Sequence, residues 1–403
     1  MQMMTVCAIL GLSCAASGCT DPMPEDEGAT RAAPTLPGYT ASVLDSGIYR
    51  PTDASEGFEQ TDTSEPNRDQ FIDDPEPVMD ADPPMRPIDM SMQDIAPMDA
   101  APNISETEAF EDLLTERVGF GADASGGQGG VVCMVTHLAD EGVGSLRHCI
   151  ENAAQPTWVR FSVDGDIHLS APISVPSNVT VDGRGQYIRI YDHGFRINRV
   201  SNVIITRLIF KEGDDDAIQL KHDTHTVWIH QVSLSNYGDG LIDITRGATD
   251  ITVSWCKFSR HSKVMLIGAD PTHDDDRNIR VTLHHNWFKR TNSRHPRLRF
   301  GKVHAYNNLY DEWGHYGIGC SQLGQCYSEA NIFQAGDNSN AILRRIGEDD
   351  ENGKVVSIND REEGDVDISE GGTVFSPGDF YDYQAERASS GLADRIRDNA
   401  GWQ

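Results

Sequence analysis

Acidic and cationic side chains recur along this chain at nearly one interval. Asp216, Asp239, Lys263 and Arg294 follow one another at spacings of 23, 24 and 31 residues. If the chain winds into coils of that length, residues one interval apart stack on one side. Two carboxylates, an ammonium and a guanidinium would then line a single face. Asp214 stands two residues before Asp216, so on a strand the two point the same way. Asp239 and Asp243 also share parity, but fully extended they would be roughly 13 Å apart. To share one ion the chain must bend, and Gly240 gives it that freedom. Carboxylates converging on a groove suit Ca²⁺, which takes about 6–8 oxygen ligands at about 2.3–2.6 Å. Cations beside them supply fixed positive charge where negative charge develops.

Arg294 belongs to a dense basic run. Lys289, Arg290, Arg294, Arg297, Arg299 and Lys302 place six cations within fourteen residues, in a chain of formal net charge −30. Such a run reads either as a polyanion site or as a solvated face. Other clusters carry less. Asp274, Asp275 and Asp276 read as a solvated loop. His284 and His285 are adjacent, so on a strand they point to opposite faces and do not chelate together. His295 and His304 have no acid partner evident in sequence and read as core or ladder positions. The glycines around Gly126–Gly130 lack a following Lys-Ser/Thr and read as a turn rather than a phosphate loop.

The elements that must position these groups are short strands in a repeat. Units begin at Asn202, Thr226, Asp250, Asn278 and Lys302, and a weaker copy ends at Phe333. Each alternates apolar residues at period two, the strand signature. A period near 24 residues predicts an all-β chain, a right-handed parallel β-helix whose coils lie about 4.8 Å apart. The insertion Asp270–Arg277 absorbs the longer spacing before Arg294. Asn286, Asn308 and Asn331 recur at one coil position, which predicts a stacked ladder that satisfies turn backbone groups rather than a catalytic role. The amphipathic stretch around Leu392–Arg397 predicts a helix packed along the solenoid.

Composition sets the surroundings. Residues 20–110 hold 21 Asp/Glu against 4 Lys/Arg and are rich in Pro, which predicts a disordered, self-repelling stalk. The folded domain is expected over 111–403. Bulk nucleic-acid binding is excluded, because neutralising many phosphates needs a net basic face. Residues 1–19 read as an export signal, an apolar core before small residues. Ala16-Ser17-Gly18 before Cys19 resembles a lipoprotein cleavage site, at which Cys19 would carry lipid and anchor the protein outside a bacterial envelope; the alternative is a plain secretory signal. No later segment is long and apolar enough to span a bilayer. Export suits disulfides, with Cys133–Cys149 and Cys320–Cys326 the plausible pairs and Cys256 a buried thiol.

From about residue 115 onward the chain resembles polysaccharide lyase family 1, the pectate and pectin lyases. The motifs that carry the resemblance are Gly119–Gly127, Gly144-Ser-Leu-Arg147, Gly213–Ile218 and Asp239–Ile244. The most specific is Arg294-His-Pro-Arg-Leu-Arg299-Phe-Gly followed by Val303–Asn308. The resemblance implies Ca²⁺-dependent β-elimination of polygalacturonate by an exported, monomeric lyase. It implies that Asp216, Asp239 and Asp243 hold Ca²⁺ with Asp214 as helper, that Arg294 removes the C5 proton, and that Lys263 and Arg299 bind substrate carboxylates. Read from the residues alone, Arg294 is an electrostatic stabiliser, because arginine is ordinarily protonated, and the base stays unassigned. Retention of the acid at Asp239 favours pectate over methyl-esterified pectin. One departure stands out: after Trp228-Ile229 the family usually has Asp-His, and this chain has His230-Gln231. It is expected to alter local packing or the groove near the metal. The rival readings are a β-helix polygalacturonan hydrolase and a non-catalytic polyanion-binding surface protein.

Overall fold

The computed structural model describes residues 106–345, 353–364 and 367–402. The expected export signal, Cys19 and nearly all of the acidic stalk lie outside the described residues. A helix, Glu106–Thr115, begins five residues before the expected domain boundary. It belongs to the fold because Phe110, Leu113 and Leu114 bury against Trp158, Ile204 and Trp228.

The strands form three parallel sheets of ten, nine and eight strands, and each complete coil contributes one strand to each sheet in turn. This is the expected parallel β-solenoid. Val203, Val227 and Ile251 are successive partners in the ten-stranded sheet, one 24-residue coil apart. The next step runs from Ile251 to Val281 and is longer. Its excess holds the 3₁₀ turn Asp274–Asn278, as the insertion required. In that turn Asp274 and Asp275 face solvent, but Asp276 is fully buried and its Oδ1 accepts from Gly247 N at 2.8 Å. The triplet is therefore only partly a solvated loop.

Inward side chains of successive coils stack into columns. Phe258, Phe288, Tyr310 and Phe333 lie ring over ring at 5.0, 4.9 and 4.4 Å. Truncating one such ring typically costs about 3–5 kcal/mol. The asparagines form the expected ladder. Asn308 Oδ1 accepts from Asn286 N and Nδ2, and Asn331 Oδ1 accepts from Asn308 N and Nδ2. Cys256 N donates to Asn286 at one end, and Asn331 N donates to Asp360 at the other. The residues just before the ladder, His285, Asn307 and Ala330, all have positive φ. There the backbone turns between sheets, and the ladder amides satisfy the groups that the turn leaves unpaired.

Both expected disulfides form, and Cys256 is buried and free. The C-terminal helix Ser390–Asn399 lays Leu392, Ala393 and Ile396 on Trp287, Leu309 and Ile332. Two histidine readings are corrected. The strand ends at His284, so alternation fails at His285, and the two rings meet with Nδ1 atoms 3.0 Å apart. His304 does find an acid: its Nε2 lies 3.4 Å from Glu329, beneath the C-terminal segment.

Candidate functional site

The expected site residues gather along the eight-stranded sheet. Strands Ile218–Lys221, Ile242–Thr245, Met265–Ile267 and Arg297–Arg299 are neighbours in it. Asp214–Asp216, Asp239, Lys263 and Arg294 sit in the turns that lead into these strands. Only Asp243 and Arg299 stand on the strands themselves. Successive coils therefore bring these turns side by side, as the repeat required.

The stacking differs from the expected column by one residue. Asp239 N donates to Asp215 O (3.4 Å), and Gly240 N donates to Asp216 Oδ1 (2.9 Å). Asp239 thus lies beside Asp215, and Asp216 lies beside Gly240. Lys263 likewise bridges to Ser293, while Arg294 O accepts from Met265 N at 2.8 Å. Arg294 has φ of 64°, the left-handed region that a bulky residue enters at a cost.

The ligand atoms of Asp215, Asp216 and Asp239 all lie within 4.8 Å of one another. Lys263 Nζ stands 3.7 Å from Asp239 Oδ1. Asp214 is outside this group; its backbone N donates to Asp192 O. Asp215 was not expected, because strand parity pairs Asp214 with Asp216. The acids lie in a turn, where parity does not hold, and the run Gly213-Asp-Asp-Asp was the available signal. Gly240 also matters for a reason other than bending. A Cβ there would meet Asp216 Oδ1 and Asp243 Oδ1, each at 2.8 Å. Its missing side chain is the space between two carboxylates.

Hydrogen bonds fix the acids. Gln219 Nε2 donates to Asp216 Oδ2 at 2.8 Å, and Arg196 reaches Asp215 Oδ2 at 2.6 Å. His261, buried, bonds Asp239 O at 2.8 Å. Burial, then the charges of Asp215 and Asp239, push the Asp216 carboxyl above its usual range; Gln219 and Arg196 oppose this. Burial, then Asp216 and Asp239, push Asp243 well above that range, against Arg294 and Lys221. Repulsion of this kind is what a divalent cation relieves. The donor set is all oxygen, which suits a hard cation such as Ca²⁺. The residues present therefore fit the ion. Arg299 ends an inner strand of the same sheet, with Nη1 3.4 Å from Gly268 O.

The His230-Gln231 departure does not touch this group. His230 ends a strand of the ten-stranded sheet, buried, with Nε2 3.1 Å from Glu116 and Nδ1 3.0 Å from Ser254 Oγ. Gln231 Nε2 donates to Asn399 O at 3.4 Å. The expected effect on the groove is corrected to an effect on packing against the terminal segments.

Fold and site together describe a parallel β-helix protein with an acid-and-cation groove on one sheet. Residues 161–403 match the family model described as pectate lyase. The chain is 38% identical over 248 residues to the probable pectate lyase P56 of Solanum lycopersicum, and spans 62% of that relative's length and 55% of its own. It is 35% identical over 290 residues to pectate lyase 1 of Ambrosia artemisiifolia, covering 71% of that protein and 64% of this one. Its fold is similar to Jun a 1, the major cedar pollen allergen, with TM-score 0.63, 30% identity, and coverage of 71% of this chain and 93% of that one. A pectate lyase from Bacillus sp. N165, solved in complex with trigalacturonate, shares the fold at TM-score 0.56 and 22% identity, covering 71% and 98%. The chain belongs to the pectate lyase family.

Proposed function

We propose that this protein is an exported pectate lyase that cleaves α-1,4-polygalacturonate by Ca²⁺-dependent β-elimination. The observation that carries the reading is the convergence of Asp215, Asp216 and Asp239, with Lys263 on their flank. Asp216, Asp239 and Asp243, with Asp215 in the place first given to Asp214, would hold the ion. When bound, Ca²⁺ supplies Lewis-acid stabilisation to a substrate carboxylate.

The remaining steps belong to the side chains. Lys263 and Arg299 pair with uronate carboxylates and orient the sugar. Their fixed charge also stabilises the carbanion-like state formed when the C5 proton leaves. The family's motif assigns that proton to Arg294. The C4–O4 bond then breaks, the oxygen leaves with the electron pair and takes a proton from solvent water, and the product carries a 4,5-unsaturated sugar end.

The test is an ultraviolet assay of unsaturated uronide formation from polygalacturonate, with Ca²⁺ and then with chelator. Arg294→Ala is expected to lower the rate by at least about a hundredfold, the scale of general-base loss. Binding without turnover, or an unchanged Arg294→Ala rate, refutes the reading. New reducing ends without the ultraviolet product assign the groove to a hydrolase instead.

A further inference from the structure

The basic run does not end in the groove. After strand Arg297–Arg299, the Phe300-Gly301 turn carries the chain off the eight-stranded sheet, and strand Lys302–Tyr306 begins the next one. At that corner lies an open depression of about 250 Å³, walled by Arg277, Phe300, Lys302, Leu323, Gln325 and Lys354. Three cations from three parts of the sequence meet there, in a chain of net charge −30.

The register explains their meeting. Lys302 pairs with Gln325, and Gln325 pairs with Lys354. The two lysines therefore start equivalent strands two coils apart, about 9.6 Å along the solenoid. Arg277 comes from the inserted turn, stacks on the Phe300 ring at 4.7 Å and is held by Asp274 at 3.1 Å. Phe300 is buried beneath it, so the floor is fixed.

The lysines differ from their neighbours in charge pairing. Arg280, Arg290, Arg361, Arg395 and Arg397 each lie against an aspartate or glutamate. Lys302 and Lys354 pair with no acid among the described residues, although acids outnumber cations almost two to one in this chain. Gln325, between them, has its Oε1 engaged by Phe375 N at 2.8 Å, which leaves its amide N–H₂ to donate. Two ammonium groups and an amide donor around a fixed wall recognise a carboxylate, and no acid among the described residues supplies one.

We propose that this depression is an accessory subsite for a uronate carboxylate of an acidic polysaccharide, whose next stretch runs past Arg299 into the groove. The proposal rests on the polygalacturonate reading for the identity of the polymer. It assigns Lys302 and Lys354 to holding a long chain, apart from the bond-breaking step. Short oligomers that fill only the groove do not reach it.

The test uses the full chain and the double variant Lys302→Gln/Lys354→Gln. Both substitutions are on partly exposed side chains, and an unchanged thermal midpoint checks the fold. On polygalacturonate, KM is expected to rise about fivefold with kcat unchanged, the scale of two exposed charge contacts. On trigalacturonate, KM stays the same. Affinity electrophoresis without Ca²⁺ gives a readout independent of turnover: polygalacturonate retards wild type more than the variant, and fully methyl-esterified pectin retards both equally. If wild type has no lyase activity but shows this difference, the subsite stands and the lyase reading fails. An equal KM on the polymer together with equal retardation overturns the subsite. Inorganic phosphate that abolishes the retardation difference only at molar concentration supports polymer recognition; abolition at millimolar phosphate identifies a small-anion site and overturns the proposal.

Discussion

Asp360→Asn should stabilise this protein at neutral pH and leave its stability at acid pH unchanged. Asp360 closes the asparagine ladder with a carboxylate. Its Oδ1 accepts from Asn331 N (2.7 Å) and Nδ2 (3.3 Å), and its Oδ2 accepts from Ser328 Oγ (2.6 Å) and Ser357 Oγ (2.8 Å). Burial nevertheless outweighs these four donors and raises the carboxyl from 3.8 to about 6. The folded state therefore holds its proton more tightly than the unfolded chain. Below pH about 4 the group is protonated in both states and has no effect. Between about 4 and 6 the unfolded chain has released the proton and the folded chain has not, so stability falls as pH rises. Above about 6 the loss is complete. At about 1.4 kcal/mol per pKa unit, it is at most about 3 kcal/mol, because part of the residue still meets solvent. Asparagine keeps the Oδ1 acceptor, and the serine hydroxyls can turn to accept from its new amide. Chemical denaturation of both proteins from pH 3.5 to 8 measures the difference. It should be near zero at the acid end and reach about 2–3 kcal/mol above pH 6.5. A variant that is less stable at pH 7, or a difference that does not change with pH, refutes the reasoning.

Gly240→Ala places a Cβ 2.8 Å from both Asp216 Oδ1 and Asp243 Oδ1 and forces the carboxylates apart. Ca²⁺ affinity by titration calorimetry should fall at least about tenfold, a loss of about 1.4 kcal/mol; unchanged affinity refutes Gly240 as the space between the ligands. Asn308→Ala removes the acceptor of Asn286 N and Nδ2 and the Nδ2 donor to Asn331 Oδ1 and Leu283 O, while its backbone N still donates to Asn331. Buried groups left unpaired cost about 1–3 kcal/mol each, so the denaturant midpoint should report a loss of about 3 kcal/mol or more, and a loss below about 1 kcal/mol refutes the ladder's structural weight.

The fold was legible because a solenoid writes its geometry into spacing. Units at Asn202, Thr226 and Asp250 announce coils, and the asparagines after them announce the turn they cap. The site was legible at coil resolution and blurred at residue resolution. Spacing places Asp239 near residue 215 or 216, but only the hydrogen bonds of the turn decide between them. Asp215 was hidden because period-two parity describes strands, and residues 214–217 lie between two strands. Arg196, Gln219 and His261 were hidden for another reason. Arg196 and His261 each steady an acid from a neighbouring coil and Gln219 steadies one three residues before it, and a single sequence carries no mark of such contacts. Of the two effects expected of the His230-Gln231 departure, the structure shows the one on packing and not the one on the groove. The pair lies next to a motif in sequence, yet a coil has three sheets, and residues in one chain segment can face away from the groove.

The charge arrangement has a consequence for how a polyanion approaches. A formal charge of −30 opposes any acidic polymer at long range. That repulsion is screened beyond about 8 Å at physiological ionic strength. Within that distance the polymer meets local charge, and along the eight-stranded sheet this is Lys263, Arg294 and Arg299. Acid outside the groove and cation inside it therefore act on different steps. Salt relieves the first and weakens the second, so encounter and grip respond to ionic strength with opposite sign. The acids among the cations fit the same logic. Left alone they raise one another's pKa, as Asp216 and Asp243 do. A divalent ion held between them, as the proposed function has it, would offset their charge and make the groove more attractive to uronate. On the proposed function, calcium would then act on binding as well as on chemistry.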